Sequence, residues 1–104
     1  MPERNDCDMT GVIETLEPVA RTPAGLPRRR LWLTHRSRQE EAGAPREVRA
    51  RMAVILTGAT ARDPALREGG RIRVTGFLAR AGYRGDARDR LQLHASTLEH
   101  LDIE

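Results

Sequence analysis

From Arg28 to Arg36 the chain alternates: Arg28, Arg30, Trp32 and Thr34 take one side, and Leu31, Leu33 and His35 the other. A period of two residues is that of a strand whose faces meet different surroundings. Glu47 to Thr57 alternates in the same way, with Val48, Ala50, Met52, Val54 and Leu56 opposed to Arg49, Arg51, Ala53 and Ile55. Arg71 to Arg80 is the cleanest strand, with Ile72, Val74 and Leu78 on one face. Met9 to Arg21 predicts a first strand pair or one long bent strand, with Gly11 as the place for a bulge. Arg90 to Ala95 predicts a strand pairing back on its predecessor, and Leu98, Leu101 and Ile103 close the apolar pattern.

The breaks in the pattern are as informative. Pro23-Ala24-Gly25-Leu26-Pro27 reads as a turn, because proline fixes φ and glycine supplies a positive one. Ser37 to Pro45 is polar and loses the alternation, which predicts a long loop. Gly58 to Gly70 reads as a connection in which Pro64 to Glu68 forms one helical turn. Ala81 to Asp89 predicts a polar hairpin loop, and residues 1–8 a flexible N-terminal end. The 104 residues suffice for one domain, taken as 1–104. About five short strands with a mid-chain connection predict an all-β fold: a five-stranded Greek-key barrel of the OB-fold type, with an SH3-like barrel as the rival.

Composition then narrows the biology. Trp32, Phe77 and Tyr83 are the only aromatics, so the core must be aliphatic, and pairing with a second copy would bury apolar surface a chain this short cannot bury alone. No apolar run approaches the roughly 20 residues that span a bilayer, and the polar N-terminus carries no signal-peptide pattern. Cys7 is the single cysteine, which rules out an internal disulfide. The expectation is a soluble cytoplasmic protein. The net charge of +3 hides an asymmetry: residues 28–90 hold sixteen arginines against seven acids, and there is no lysine. Arginine keeps its charge, grips phosphate through a planar fork and stacks on bases. A basic centre of this kind suits a polyanion, or equally a solvated arginine-rich surface.

Candidate catalytic chemistry is sparse. Glu40 and Glu41 are sequence neighbours flanked by Arg38 and Arg46, and neighbours need not converge on one substrate. His35, His94 and His100 lack metal-ligand spacing. Gly69-Gly70 precedes a strand, so it forms no phosphate loop. Cys7 reads as a small buried or idle thiol. The expectation is a protein without enzymatic activity, metal or cofactor.

Binding features are richer. OB-folds commonly hold ligands across their second and third strands, between the loops joining strands one to two and four to five. One face of Arg28–Arg36 and Glu47–Thr57 would present Arg28, Arg30, Trp32, Arg49 and Arg51. The 81–89 loop would add Tyr83, Arg84 and Arg88, with Arg90 at its foot. Arginine beside an aromatic is the equipment single strands require, charge for phosphates and flat groups for bases. Trp32 has a second reading, burial in a dimer interface or a small second core.

The segment Thr34-His35-Arg36-Ser37-Arg38-Gln39-Glu40-Glu41-Ala42-Gly43 resembles the primosomal replication protein N (PriB) family, whose members carry a near-identical HRSxQEEAG run. Pro23-x-Gly25-x-Pro27, Arg46, Met52, Gly58, Arg71-Ile72-x-Val74-x-Gly76-Phe77 and Leu93-His94-Ala95 extend the resemblance over about residues 9–103. It implies an OB-fold homodimer that binds single-stranded DNA in the replication-restart primosome, stimulates the PriA helicase, and has DnaT as a further partner. Arg36 and Arg46 stand at DNA-contacting arginines of the family, and Arg84 and Arg90 at loop lysines. Ala44 and Arg49 stand where the family has base-stacking aromatics, and Gly82 replaces another loop lysine.

Overall fold

The computed structural model describes residues 2–82 and 90–102. Its strands are β1 (Cys7–Leu16), β2 (Ala20–Arg21), β3 (Pro27–Glu41), β4 (Ala44–Thr57), β5 (Arg71–Arg80) and β6 (Leu91–His100), with a 3-10 helix at Gly58–Arg62. They pair in the order β1-β5-β6-β4-β3-β2, and β1 also pairs with β3. That last pairing closes five long strands into a barrel, the OB-fold the alternation pointed to. β4 and β6 run parallel over Ala53–Ile55 and Gln92–His94; the other pairs are antiparallel.

Inward residues of every long strand meet in one aliphatic core. Ile13, Leu31, Leu33, Val54, Leu56, Ile72, Val74 and Leu93 are sealed from solvent, and Ala61 and Leu66 from the mid-chain connection join them. Burial of each large side chain contributes about 1.5–3 kcal/mol.

β1 serves two neighbours, β5 over Cys7–Val12 and β3 over Val12–Leu16, and it bends between them. The register shift falls between Ile13 and Thr15, so Glu14 is the bulged residue and Gly11 is not. Gly11 serves a different purpose: a Cβ there would strike the Thr34 carbonyl oxygen and lie 2.9 Å from Leu33 Cγ. The first strand also starts earlier than expected. Cys7 pairs with Gly76, and the Asn5 side chain donates to the Leu78 carbonyl (2.7 Å) and accepts from its N–H (2.9 Å).

Ser37–Pro45 is not a loop. The β3–β4 ladder runs unbroken from Arg28–Thr57 to Glu41–Ala44, and only Ala42 (φ 52°) and Gly43 (φ 79°) turn the chain. Two positive φ values suit a two-residue hairpin turn. The alternation disappears because this arm has no core on either side.

The helical turn also moves. It forms at Gly58–Arg62, and Asp63 ends it with an extended ψ of 116°, the conformation that a following proline imposes. Pro64–Glu68 is turn and coil instead: the Asp63 carboxylate accepts from Ala65 N–H (2.9 Å) and its carbonyl from Leu66 N–H (3.2 Å).

The last strand extends past Ala95 to His100. Thr75 pairs with Thr97 but Gly76 pairs with Ala95, which leaves Ser96 as an extra residue. Leu93 and Leu98 are an odd number of residues apart, and this bulge restores them to one side. A strict period-two pattern therefore stops short of the true strand end.

Candidate nucleic-acid interface

Cross-strand partners project to the same face of a sheet, so the register defines the outer surface of the barrel. Arg28–Thr57, Arg30–Ile55, Trp32–Ala53, Thr34–Arg51 and Arg36–Arg49 share it. β6 continues it through Ala53–Gln92 and Ile55–His94, and β5 through Gln92–Ala79 and His94–Phe77. The result is two rows across four strands: Trp32, Ala53, Gln92, Ala79, and Arg30, Ile55, His94, Phe77. Ala53, Ile55 and Gln92 are only 4%, 2% and 6% exposed although they face outward. They are the floor of a groove whose sides are built from longer side chains.

One side is a layered cluster on Trp32. The Arg51 guanidinium lies 4.0 Å from the indole centroid and that of Arg30 lies 5.6 Å away. Two carboxylates from the end of β1 hold this cluster. Glu17 Oε2 accepts from Arg30 Nε (2.7 Å) and from the indole N–H (3.2 Å), while Glu14 Oε1 accepts from Arg51 Nε (2.8 Å). Glu17 is fixed through its backbone too, since its N–H donates to the Arg30 carbonyl and its carbonyl accepts from Arg29 Nε. Arg30, opposed chiefly by burial, and secondarily Trp32 hold the Glu17 carboxyl below its ordinary range. Trp32 is thus a half-buried ring on the outer face, outside the barrel core.

The other side carries Phe77 and His94, whose rings stack with centroids 5.1 Å apart and planes 3° from parallel. Phe77 is 46% exposed. Burial, followed by the nearby Arg28 charge, pushes the His94 imidazole below its ordinary range. Neither residue emerges as a site residue from the sequence, because their adjacency depends on the β5–β6 register. The one signal available was an aromatic in a strand without a visible apolar partner.

Among the sequence-derived candidates, Arg28, Arg30, Trp32, Arg36, Arg49 and Arg51 come together on this face. Arg36 and Arg49 are direct partners, a like-charge pair that costs stability unless an anion relieves it. Arg46 does not join them. It pairs with Gln39 on the opposite pleat and donates to Glu41 at the arm's tip. Arg90 is exposed at the foot of the β5–β6 connection, where its carbonyl accepts from Ala81 N–H (2.8 Å). Tyr83, Arg84 and Arg88 lie outside the described residues.

A cavity of about 450 Å³ opens between Trp32 and Leu91, lined also by Arg30, Arg51, Ala53, Ala81, Arg90 and Gln92. Two further hollows adjoin the same floor: Arg28 and Ile55 line one, and Arg28 and His94 the other. The remaining titratable candidates are structural. His35 Nδ1–H donates to the Thr10 carbonyl and its Nε2 accepts from the Ser37 hydroxyl, and His100 bonds Asp63 at 2.8 Å. Burial, followed by Asp8, raises the half-buried Cys7 thiol. Among the described residues no group of three or more His, Cys, Asp or Glu could hold a metal, and no helix is long and apolar enough to cross a membrane.

Known proteins align with this arrangement. A family described as another single-strand binding protein family matches residues 5–97. The chain is similar to replication restart protein PriB of Vibrio vulnificus, 35% identical over 101 residues that cover 93% of this chain and 98% of that one. It superposes on the structure of PriB from Ralstonia solanacearum with a TM-score of 0.81 at 26% identity, covering 96% of this chain and 100% of the other. It also superposes on the single-stranded DNA binding protein of Thermus aquaticus, with a TM-score of 0.75 at 26% identity, covering 95% of this chain and 50% of that larger one. The identity to the Vibrio protein spans nearly all of both chains, the Ralstonia PriB structure has the same barrel, and on that ground this chain belongs to the replication restart protein PriB family.

Proposed function

We propose that this protein binds single-stranded DNA along the outer face of β3 and β4 as an accessory to replication restart. The observation that carries the reading is the convergence of Arg28, Arg30, Arg36, Arg49 and Arg51 around Trp32 on one face, with Arg36 and Arg49 directly opposed. Arginine forks take the phosphates, and the indole and guanidinium planes take bases. Arg90 extends the track, and Tyr83, Arg84 and Arg88 are further contacts by their position in the sequence alone. Arg46 contacts the strand from the other side of the arm. The protein works as a cytoplasmic homodimer without enzymatic activity of its own. It stimulates a helicase of the PriA type and passes the fork on with DnaT.

A second reading has a specific support. Arg30 and Arg51 are already bound to Glu17 and Glu14, and Ala44 and Arg49 offer no rings, so the face carries less free charge and less stacking than its arginine count suggests. In that reading the protein is an adaptor that acts mainly by touching the helicase.

Fluorescence anisotropy with an oligo-dT strand separates the two. Each phosphate neutralised contributes about −0.7 to the log–log salt slope, so ~4–6 phosphates predict a roughly 50–350-fold loss of affinity from about 50 to 200 mM salt. Arg36→Ala should flatten the slope by about 0.7. Salt-insensitive binding combined with intact helicase stimulation would favour the adaptor.

A further inference from the structure

The groove floor contains one group that the barrel does not use. Gln92 is 6% exposed and lines three adjoining hollows. Its carboxamide bonds to no described residue, and no described side-chain nitrogen or oxygen is sealed without a partner. Among the described residues, Ala53, Ile55 and Ala81 line the same hollows and add no polar side chain beside the amide. Above it stand flat surfaces already fixed in place: the indole held by Glu17, and the Arg51 guanidinium held over it by Glu14. Arg30 and Arg90 flank the opening, and the Ala81–Arg90 backbone bond fixes the far rim.

We propose that this cavity receives one unstacked nucleobase of the bound strand, edge-on to the Gln92 amide and flat against the Trp32–Arg51 wall. The inference rests on the DNA-binding reading above and names its base subsite. A volume of about 450 Å³ falls in the range of about 300–1,000 Å³ that small ligands occupy. The carboxamide offers a donor beside an acceptor, the complement of the adjacent donor and acceptor on a base's Watson–Crick edge. The amide fits that edge in either of its two orientations, so the subsite recognises a base as such and does not select among the four. Arginines at the opening suit the phosphates on either side of the inserted nucleotide. The indole and guanidinium are held before the strand arrives, so little side-chain freedom is lost when a base stacks there.

Anisotropy titrations would compare an oligo-dT strand with one of equal length whose central nucleotides lack bases. Stacking is sequence-tolerant and strong enough that the complete strand should bind about 5–150-fold more tightly. It alone should quench Trp32, the single tryptophan. Gln92→Leu and the cavity-filling Ala81→Trp should each reduce the preference to about twofold, chiefly by weakening the complete strand, with thermal melts reporting on folding. Equal affinity for the two strands in the parent, or a preference that survives both variants, overturns the base subsite. Binding of neither strand overturns the DNA-binding reading and the subsite with it. If Ala81→Trp instead converts a dimer to monomers in sedimentation, the cavity holds a second copy of the chain and the proposal is overturned.

Discussion

The inner and outer halves of the β3–β4 hairpin share a single ladder and register, but they are made from different kinds of sequence. In the inner half Leu31 and Leu33 oppose Val54 and Met52 over the core, and the outward positions carry Trp32 and arginines. In the outer half Ser37, Arg38, Gln39, Glu40 and Glu41 face Val48, Glu47, Arg46, Pro45 and Ala44, and nearly all are exposed on both faces. Backbone pairing is identical in the two. Alternation therefore reports contact with a core and not strand formation as such, and a polar stretch bounded by a two-residue turn can be as extended as its apolar continuation.

Leu33→Ala should show the difference most strongly. Loss of a fully buried leucine costs about 2–5 kcal/mol, whereas Gln39→Ala, in the same strand, should change stability by no more than about 0.5 kcal/mol. Denaturant melts of the two variants check this, and comparable losses would mean that the arm is not the separate region it looks. Gly43→Val comes next. A β-branched residue at φ 79° is strained by about 1–2 kcal/mol, and amide exchange should speed up from Arg38 to Glu47 while the barrel amides stay protected. A smaller effect is expected of Arg49→Glu, which turns the like-charge pair with Arg36 into an opposite-charge one. It should stabilise the arm by about 0.2–1 kcal/mol and weaken binding of single-stranded DNA, so melting temperature and affinity move in opposite directions.

The gentlest probe is acid. His94 resists protonation in the folded state, so below about pH 6.5 the unfolded chain takes the proton first and stability declines as pH falls. His94→Gln should flatten the melting temperature between pH 7 and 5. The carboxylates act lower. Asp8 is held down by Arg73, Asp63 by His100 and Glu17 by Arg30. Their stabilisation is complete above the ordinary carboxylate values near 4 and disappears as pH falls through the depressed folded ones.

The parts of the molecule that were legible in the sequence are those in which a residue's neighbour lies two positions away. The core stripes of β3, β4 and β5 and the basic outer face of β3–β4 follow from alternation alone. What stayed hidden depended on pairing between distant segments. The bulge at Glu14 exists because β1 must serve two partners, and it delivers Glu14 and Glu17 to Arg51 and Arg30. Phe77 meets His94 through a register that no local window contains, whereas Arg46, three residues from Arg49, turns away from it only because β4 extends through the stretch that reads as a loop. The arm was missed for the opposite reason: its local chemistry is that of a loop, and only Ala42-Gly43 marks the turn.

The short parallel pairing of β4 with β6 also sets an order of events. Ala53–Ile55 can acquire its second neighbour only when Gln92–His94 is available, and the rest of the barrel likewise depends on contacts between distant parts of the chain. Such topologies fold in milliseconds to seconds, not microseconds. Until Gln92–His94 docks, the edge of β4 at Ala53–Ile55 lacks its second neighbour, and an unpaired strand edge is a template for pairing with other chains. Arg49 and Arg51, charged side chains on that strand, are then positioned to discourage aggregation before they are needed for anything else.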